Sequence, residues 1–135
     1  MKIWLKEVNP KDNVELMHLY KLLGERKPYQ SISHKKMPLF GEHCAFVQSK
    51  PYKGWYLIWA GDEVVGTTYI THQNELGIFI YAKDKGKGYG KKAIELMMGL
   101  YEGPFLANIN PENAASVSFF TALGFTQLQV TYTHD

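Results

Sequence analysis

At 135 residues with a formal net charge of +2 and a sequence pI near 8.5, the chain reads as one domain spanning 1–135, able to bury about two-thirds of its unfolded surface. The charge is mild and no lysine–arginine stripe alternates with aromatics, which argues against a nucleic-acid partner. A single cysteine, Cys44, excludes an internal disulfide and suits a reducing, cytoplasmic compartment, while the opening MKIWLKEVNPKD carries charge inside its apolar run and argues against a signal peptide or a membrane role.

Lys2 to Val8 alternates Ile3 and Leu5 against Trp4 and Lys6, the pattern of a first strand. Asn9-Pro10 then supplies an N-cap and an N1 proline, with Asp12 in the first turn. The helix that follows runs to Leu23, places Leu16, Leu19, Tyr20 and Leu23 on one apolar face, and ends at Gly24. Residues 25–37 have no clear period and read as a loop. A short helix is expected from Pro38 to Ser49, on Leu39, Phe46 and Val47. His43 and Cys44 are neighbours there, but adjacent helical residues do not face each other, so the thiol reads as a small buried group. Trp55 to Ala60 and Glu63 to Thr71 form two strands around the hairpin turn Ala60-Gly61-Asp62, and Gln73-Asn74 turns the chain again.

The stretch Glu75 to Ala93, ELGIFIYAKDKGKGYGKKA, is the most informative. Leu76, Ile78, Phe79, Ile80 and Tyr81 are apolar on both alternating sets, so this strand is expected to be covered on both faces and central to the sheet. Gly86, Gly88 and Gly90 allow backbone amides to turn inward, and Ala93, Ile94, Met97 and Tyr101 recur at helical spacing. A strand, a ring of free N–H groups and a helix N-terminus together make an anion site, because the first helical amides lack internal partners and the macrodipole adds positive potential. Lys85, Lys87, Lys91 and Lys92 add formal charge. A Walker P-loop ending at Gly90-Lys91 would need glycine at 85 and Ser or Thr at 92, where lysines stand. A dinucleotide fingerprint through Gly88, Gly90 and Ala93 starts well past the strand end, and no acidic residue closes the next strand.

Farther on, Gly103-Pro104 is a stop, Phe105 to Ile109 a short buried strand, Asn110-Pro111 a cap, Glu112 to Leu123 a helix, and Gln127 to Thr133 a last strand. The order of strands and helices is that of a mixed α/β domain.

The pattern [QR]-x-x-G-x-G, with Lys85 in first place and then Gly88 and Gly90, resembles the acetyl-coenzyme A loop of the GNAT N-acetyltransferases. Asn113-Ala-Ala-Ser116-Val-Ser-Phe-Phe120-Thr-Ala-Leu-Gly124-Phe125 is similar to a later motif of the same family, in the same order and at a family-like separation. The resemblance covers roughly Gly54 to Phe125. It implies a mostly antiparallel central sheet of about six strands with helices on both faces, an acetyl-CoA co-substrate and transfer of acetyl to a primary amine of a small molecule, amino sugar or protein N-terminus. The loop before the second helix would cover the acceptor, and the pantetheine arm would pair with backbone groups of Ile78, Phe79 and Ile80 at a splay or bulge. The pyrophosphate would rest on Lys85, Gly86, Lys87, Gly88, Tyr89, Gly90 and Lys91, with Asn113, Ser116 and Phe120 completing the coenzyme site. Glu75 is the expected general base, His72 its reserve, and no metal is expected.

Two positions depart from the family pattern. Phe120 stands where many relatives carry a proton-donating tyrosine, and Asn108 stands where some carry a base. A coenzyme A-binding sensor without turnover is therefore the alternative, and an unrelated nucleotide-binding α/β protein the third reading. Glu42-His43 through Trp55 and Asn74-Glu75-Leu76-Gly77 look similar to the ribosomal-protein N-terminal and amino-sugar branches. Only about a dozen residues follow Leu123, too few for the family's usual two closing strands, so the last strand is expected to be missing or supplied by a second copy in a homodimer.

Overall fold

A computed structural model describes residues 1–26 and 37–135. The loop expected over 25–37 therefore falls largely outside the described residues. Four strands form one antiparallel sheet in sequence order: β1 (Ile3–Glu7), β2 (Gly54–Ala60), β3 (Glu63–Ile70) and β4 (Leu76–Ile80). Helices α1 (Asn13–Gly24) and α2 (Phe40–Gln48) pack on one face, and α3 (Tyr89–Leu100) and α4 (Ala114–Ala122) on the other.

Strand alternation explains the two layers. Leu57, Val64, Phe79 and Tyr81 point toward Leu16, Leu19 and Leu22 of α1 and Val47 of α2. Residues of opposite parity form the second layer, with Ile58 and Ile80 grouped around Ala93 and with Ile70, Leu76 and Ile78 grouped around Ile94, Met97 and Phe120. The reading of β4 as apolar on both faces thus holds, but its expected central place does not: β4 is the last of the four strands, paired with β3 on one side and by a single bridge on the other, because the segment after α3 leaves it beyond Leu106. Burying a Leu or Ile side chain contributes roughly 1.5–3 kcal/mol, and Leu19, Leu57, Ile58, Ile94 and Met97 are buried almost without remainder.

Several expected boundaries are corrected by where hydrogen bonds go. Asp12, not Asn9, caps α1, its carboxylate accepting from the amides of Val14 at 2.9 Å and Glu15 at 3.2 Å. Likewise Asn113, not Asn110, caps α4 by accepting from the Ser116 amide at 3.2 Å. The sheet has four strands and not about six. The strand expected from Phe105 to Ile109 is reduced to one parallel bridge between Glu75 and Leu106. Gln127 to Thr133 forms no strand despite its alternation, and Leu128, Val130 and Tyr132 are exposed. No described helix is long and apolar enough to cross a membrane.

Candidate active site

The site lies where β4 loses its partner. Leu76 N–H donates to the Leu106 carbonyl at 2.7 Å and Leu106 N–H to the Asn74 carbonyl at 2.9 Å, and pairing goes no further along this side. Tyr81 N–H donates to the Val65 carbonyl at 2.9 Å on the opposite side. Backbone direction alternates along a strand, so the polar groups of Phe79 follow those of Tyr81 toward β3, while those of Ile78 and Ile80 follow Leu76 into the gap. A groove of about 830 Å³ fills that gap, within the range of small-molecule sites. Of the three residues expected to present backbone there, Phe79 instead pairs with Thr67.

At the C-terminal end of β4 the chain makes one 3₁₀ turn, Ala82–Asp84, and enters the glycine loop. Asp84 is buried and accepts from Lys83 Nζ at 2.9 Å and Lys87 Nζ at 3.3 Å. Burial pushes its pKa up, but these two lysine bonds outweigh it and hold the carboxyl below the usual carboxylate range. Gly86 and Gly88 have φ of +80° and +81°, the left-handed region where L side chains are strained. A Cβ at either would meet nothing within 4 Å. The dihedral, not crowding, requires glycine, and the space in front of the loop is open.

Gly88 caps α3, and the first bond of the helix runs from Lys92 N–H to the Gly88 carbonyl at 3.3 Å. The amides of Tyr89, Gly90 and Lys91 precede that bond and have no intrahelical acceptor, so an anion at this end would be held by backbone N–H groups and the helix dipole. Lys85, Gly86, Gly88, Tyr89, Gly90 and Lys91 all line the groove. Lys87 is turned onto Asp84 and does not line it. On the far wall, Asn113, Ser116 and Phe120 line it from α4 and its cap. The Phe120 ring is buried and packs edge-on against Phe119 and Phe125, at 5.0 and 5.2 Å between centroids.

At the other end stands Glu75, just before β4. Thr71 Oγ1 donates to its Oε1 at 3.0 Å, and Asn108 Nδ2 donates to its Oε2. Asn108 thus orients the carboxylate. His72 is exposed and outside the groove lining, so it is not brought to Glu75. His43 is buried on α2 and lines a second, smaller cavity of about 280 Å³.

Four residues that sequence reasoning passed over complete the site. Asp84 anchors the loop. Tyr52 and Tyr69 stack with centroids 4.1 Å apart, and burial pushes both hydroxyls above the ordinary tyrosine pKa. Arg26 lies over the Phe79 ring, 4.4 Å from its centroid, and burial lowers its pKa. One signal was available, since a Cβ at Gly77 would collide with the Tyr69 ring. A glycine inside a strand marks such close approach.

Comparisons with known proteins agree with this geometry. A family model described as an acetyltransferase (GNAT) domain matches residues 8–126. Peptidyl-lysine N-acetyltransferase YjaB of Salmonella typhimurium is 31% identical over 71 residues, covering 53% of this chain and 48% of that protein. The chain thus aligns with about half the length of this curated relative. An acetyltransferase from Thermus thermophilus superposes with a TM-score of 0.75 at 20% identity, over 96% of this chain and 90% of its own. The structure of yncA from Salmonella typhimurium with its cofactor acetyl-CoA gives 0.68 at 15% identity, over 93% and 80%. These structural likenesses speak to the fold, and the family-model match over residues 8–126 includes the strand, glycine loop and capped helix that build the groove. The chain belongs to the GNAT acetyltransferase family.

Proposed function

We propose that the chain is an acetyl-CoA-dependent N-acetyltransferase acting on a primary amine of a small molecule, an amino sugar or a protein N-terminus. One observation carries the reading: the open backbone edge of β4 leads from an oriented carboxylate at Glu75 to an anion cradle at Gly86, Gly88 and the N-terminus of α3. The pantetheine arm would lie along Ile78 and Ile80 as an added strand, with the pyrophosphate on the loop. Asn113 and Ser116 would flank the coenzyme from α4.

Chemistry then needs a neutral amine and a polarised carbonyl. Glu75 accepts a proton from the ammonium, directly or through water, and the freed lone pair attacks the thioester carbon. Amides on the open edge stabilise the oxyanion, the C–N bond forms, the C–S bond breaks to release coenzyme A thiolate, and the second proton of the nitrogen passes through solvent to that thiolate, leaving the amide and coenzyme A. A thiol with pKa near 8.5 is a fair leaving group at neutral pH, so Phe120, which has no proton to give, is compatible with turnover. The same phenyl ring also favours a second reading, a coenzyme A-binding module without turnover. Thiol release from acetyl-CoA across a panel of amines decides between them. Saturable acetyl-CoA binding with no amine-dependent thiol release would replace the first reading by the second. Displacement of coenzyme A by ATP at equal concentration would defeat both.

A further inference from the structure

The second cavity adjoins the groove and shares Leu22, Arg26, Tyr52, Tyr69 and Phe79 with it. Its inner wall is apolar, built by Leu19 and Leu23 of α1, Phe46 of α2 and Trp55 of β2. Trp55 Nε1 is satisfied there by Thr67 Oγ1 at 2.9 Å, which in turn donates to the Tyr56 carbonyl at 2.8 Å. Two polar atoms are not satisfied: Arg26 Nε and His43 Nε2 are buried without a hydrogen-bond partner among the described residues. His43 as a whole is 5% exposed. Among the described residues no carboxylate pairs with Arg26. Glu42, at the rim, accepts from the Leu39 amide at 2.8 Å and serves as part of the α2 cap.

A guanidinium held over an aromatic face, partly desolvated and without an anion, is matched by a carboxylate, which takes two parallel N–H bonds from its fork. An unpaired buried imidazole nitrogen asks for one further hydrogen bond. An apolar box of about 280 Å³ asks for a large apolar side chain. The groove supplies the amine's destination, because Tyr69 lines both cavities and pairs with Gly77, two residues from Glu75.

We infer that the acceptor is a free α-amino acid with an aromatic or large aliphatic side chain, its carboxylate on Arg26, its side chain against Phe46 and Trp55, and its amino group toward Glu75. The inference rests on the transferase reading above and narrows it. The amino nitrogen bonds to the acetyl carbon, the thioester C–S bond breaks, and the products are the N-acetylamino acid and coenzyme A. Arg26 selects the acceptor and takes no part in proton transfer.

The test compares thiol release with L-phenylalanine and L-leucine against phenethylamine and isoamylamine, which lack only the carboxylate, and against glycine, glucosamine and a lysyl peptide. We expect kcat/KM for phenylalanine to exceed that for phenethylamine by about 30-fold or more, as for one bidentate charged contact. Arg26→Gln should bring that ratio near one, and Arg26→Lys should restore part of it. Quenching of Trp55 fluorescence by L-phenylalanine, with Trp4 and Trp59 replaced by Phe, measures the same pocket without turnover. Equal use of phenethylamine and phenylalanine, or a ratio unchanged in Arg26→Gln, overturns the inference. Acetylation of glucosamine or the lysyl peptide with none of the amino acids overturns it while leaving the transferase reading intact. Saturable quenching with no turnover of any amine sinks the transferase reading and keeps the amino acid as the pocket's ligand.

Discussion

Glu75 and His43 show how local surroundings assign different tasks to two titratable residues. Glu75 is oriented by Thr71 and Asn108 at the start of the open edge, the placement on which the proposed proton transfer rests. An amine with a pKa near 8 costs about 1.4 kcal/mol to deprotonate at pH 7, and a lysine-type amine near 10.4 costs about 4.6. A weak base suffices for the first. Glu75→Gln is expected to lower the maximal rate by roughly 10²-fold while leaving acetyl-CoA affinity intact, and to lose less at pH 9, where more acceptor is already neutral. A loss that stays constant across that pH range would make Glu75 a positioning residue. His43 behaves differently. Burial lowers its pKa below 6.5, so the folded chain binds fewer protons there than the unfolded chain. Its contribution is fully present above pH 6.5 and falls as acidification passes from the unfolded toward the folded pKa. The melting temperature should therefore drop between pH 7 and pH 5, and His43→Phe should flatten that slope. An identical slope in the two proteins would show that the acid sensitivity comes from elsewhere.

At the scale of elements, legibility followed how local the determining interaction is. The glycine loop could be read because positive φ at Gly86 and Gly88 is a property of those residues. The α1 and α4 caps were misplaced by three residues each because several polar side chains compete for the same amides. Asn110, for instance, accepts from the Glu112 amide at 3.0 Å within a turn and leaves the cap to Asn113. The strand expected at 105–109 failed for a tertiary reason, since the groove exists only because this segment separates from β4 after Leu106. Arg26, Tyr52 and Tyr69 come from three separate segments, and nothing in their spacing announces that they meet. The loop also carries a prediction. Acetyl-CoA at a hundredfold excess over its dissociation constant should stabilise the fold by about 2.7 kcal/mol, a shift on the order of 3–8 °C for a domain of this size. NAD and ATP should give less. Gly88→Val should abolish the shift, because valine resists the +81° φ and its methyls would enter the open space where the proposed pyrophosphate would rest. Equal shifts from the three ligands, or full affinity in a folded Gly88→Val protein, would contradict the loop assignment.

For the molecule as a whole, the two sheet faces are covered by α1 with α2 and by α3 with α4, whereas residues 126–135 are exposed. Leu128, Val130 and Tyr132 are 76%, 58% and 91% exposed, and among the described residues 127–133 pairs with no strand. Thr131 nevertheless lines the groove, so this segment runs beside the site. Alternating apolar side chains on an exposed, unpaired segment favour pairing with another chain, which would satisfy the backbone groups and remove the apolar surface from water together. We propose that a second copy provides that pairing, giving a homodimer in which residues 127–133 of each chain are covered by the other. Light scattering at micromolar concentration should then return twice the 15.5 kDa chain mass. Changing Leu128, Val130 and Tyr132 together to Ser should shift the species toward one chain while its own core, which none of the three joins, stays folded by circular dichroism. A single-chain mass for the unaltered protein would end the proposal, and a dimer that survives the triple change would place its interface elsewhere.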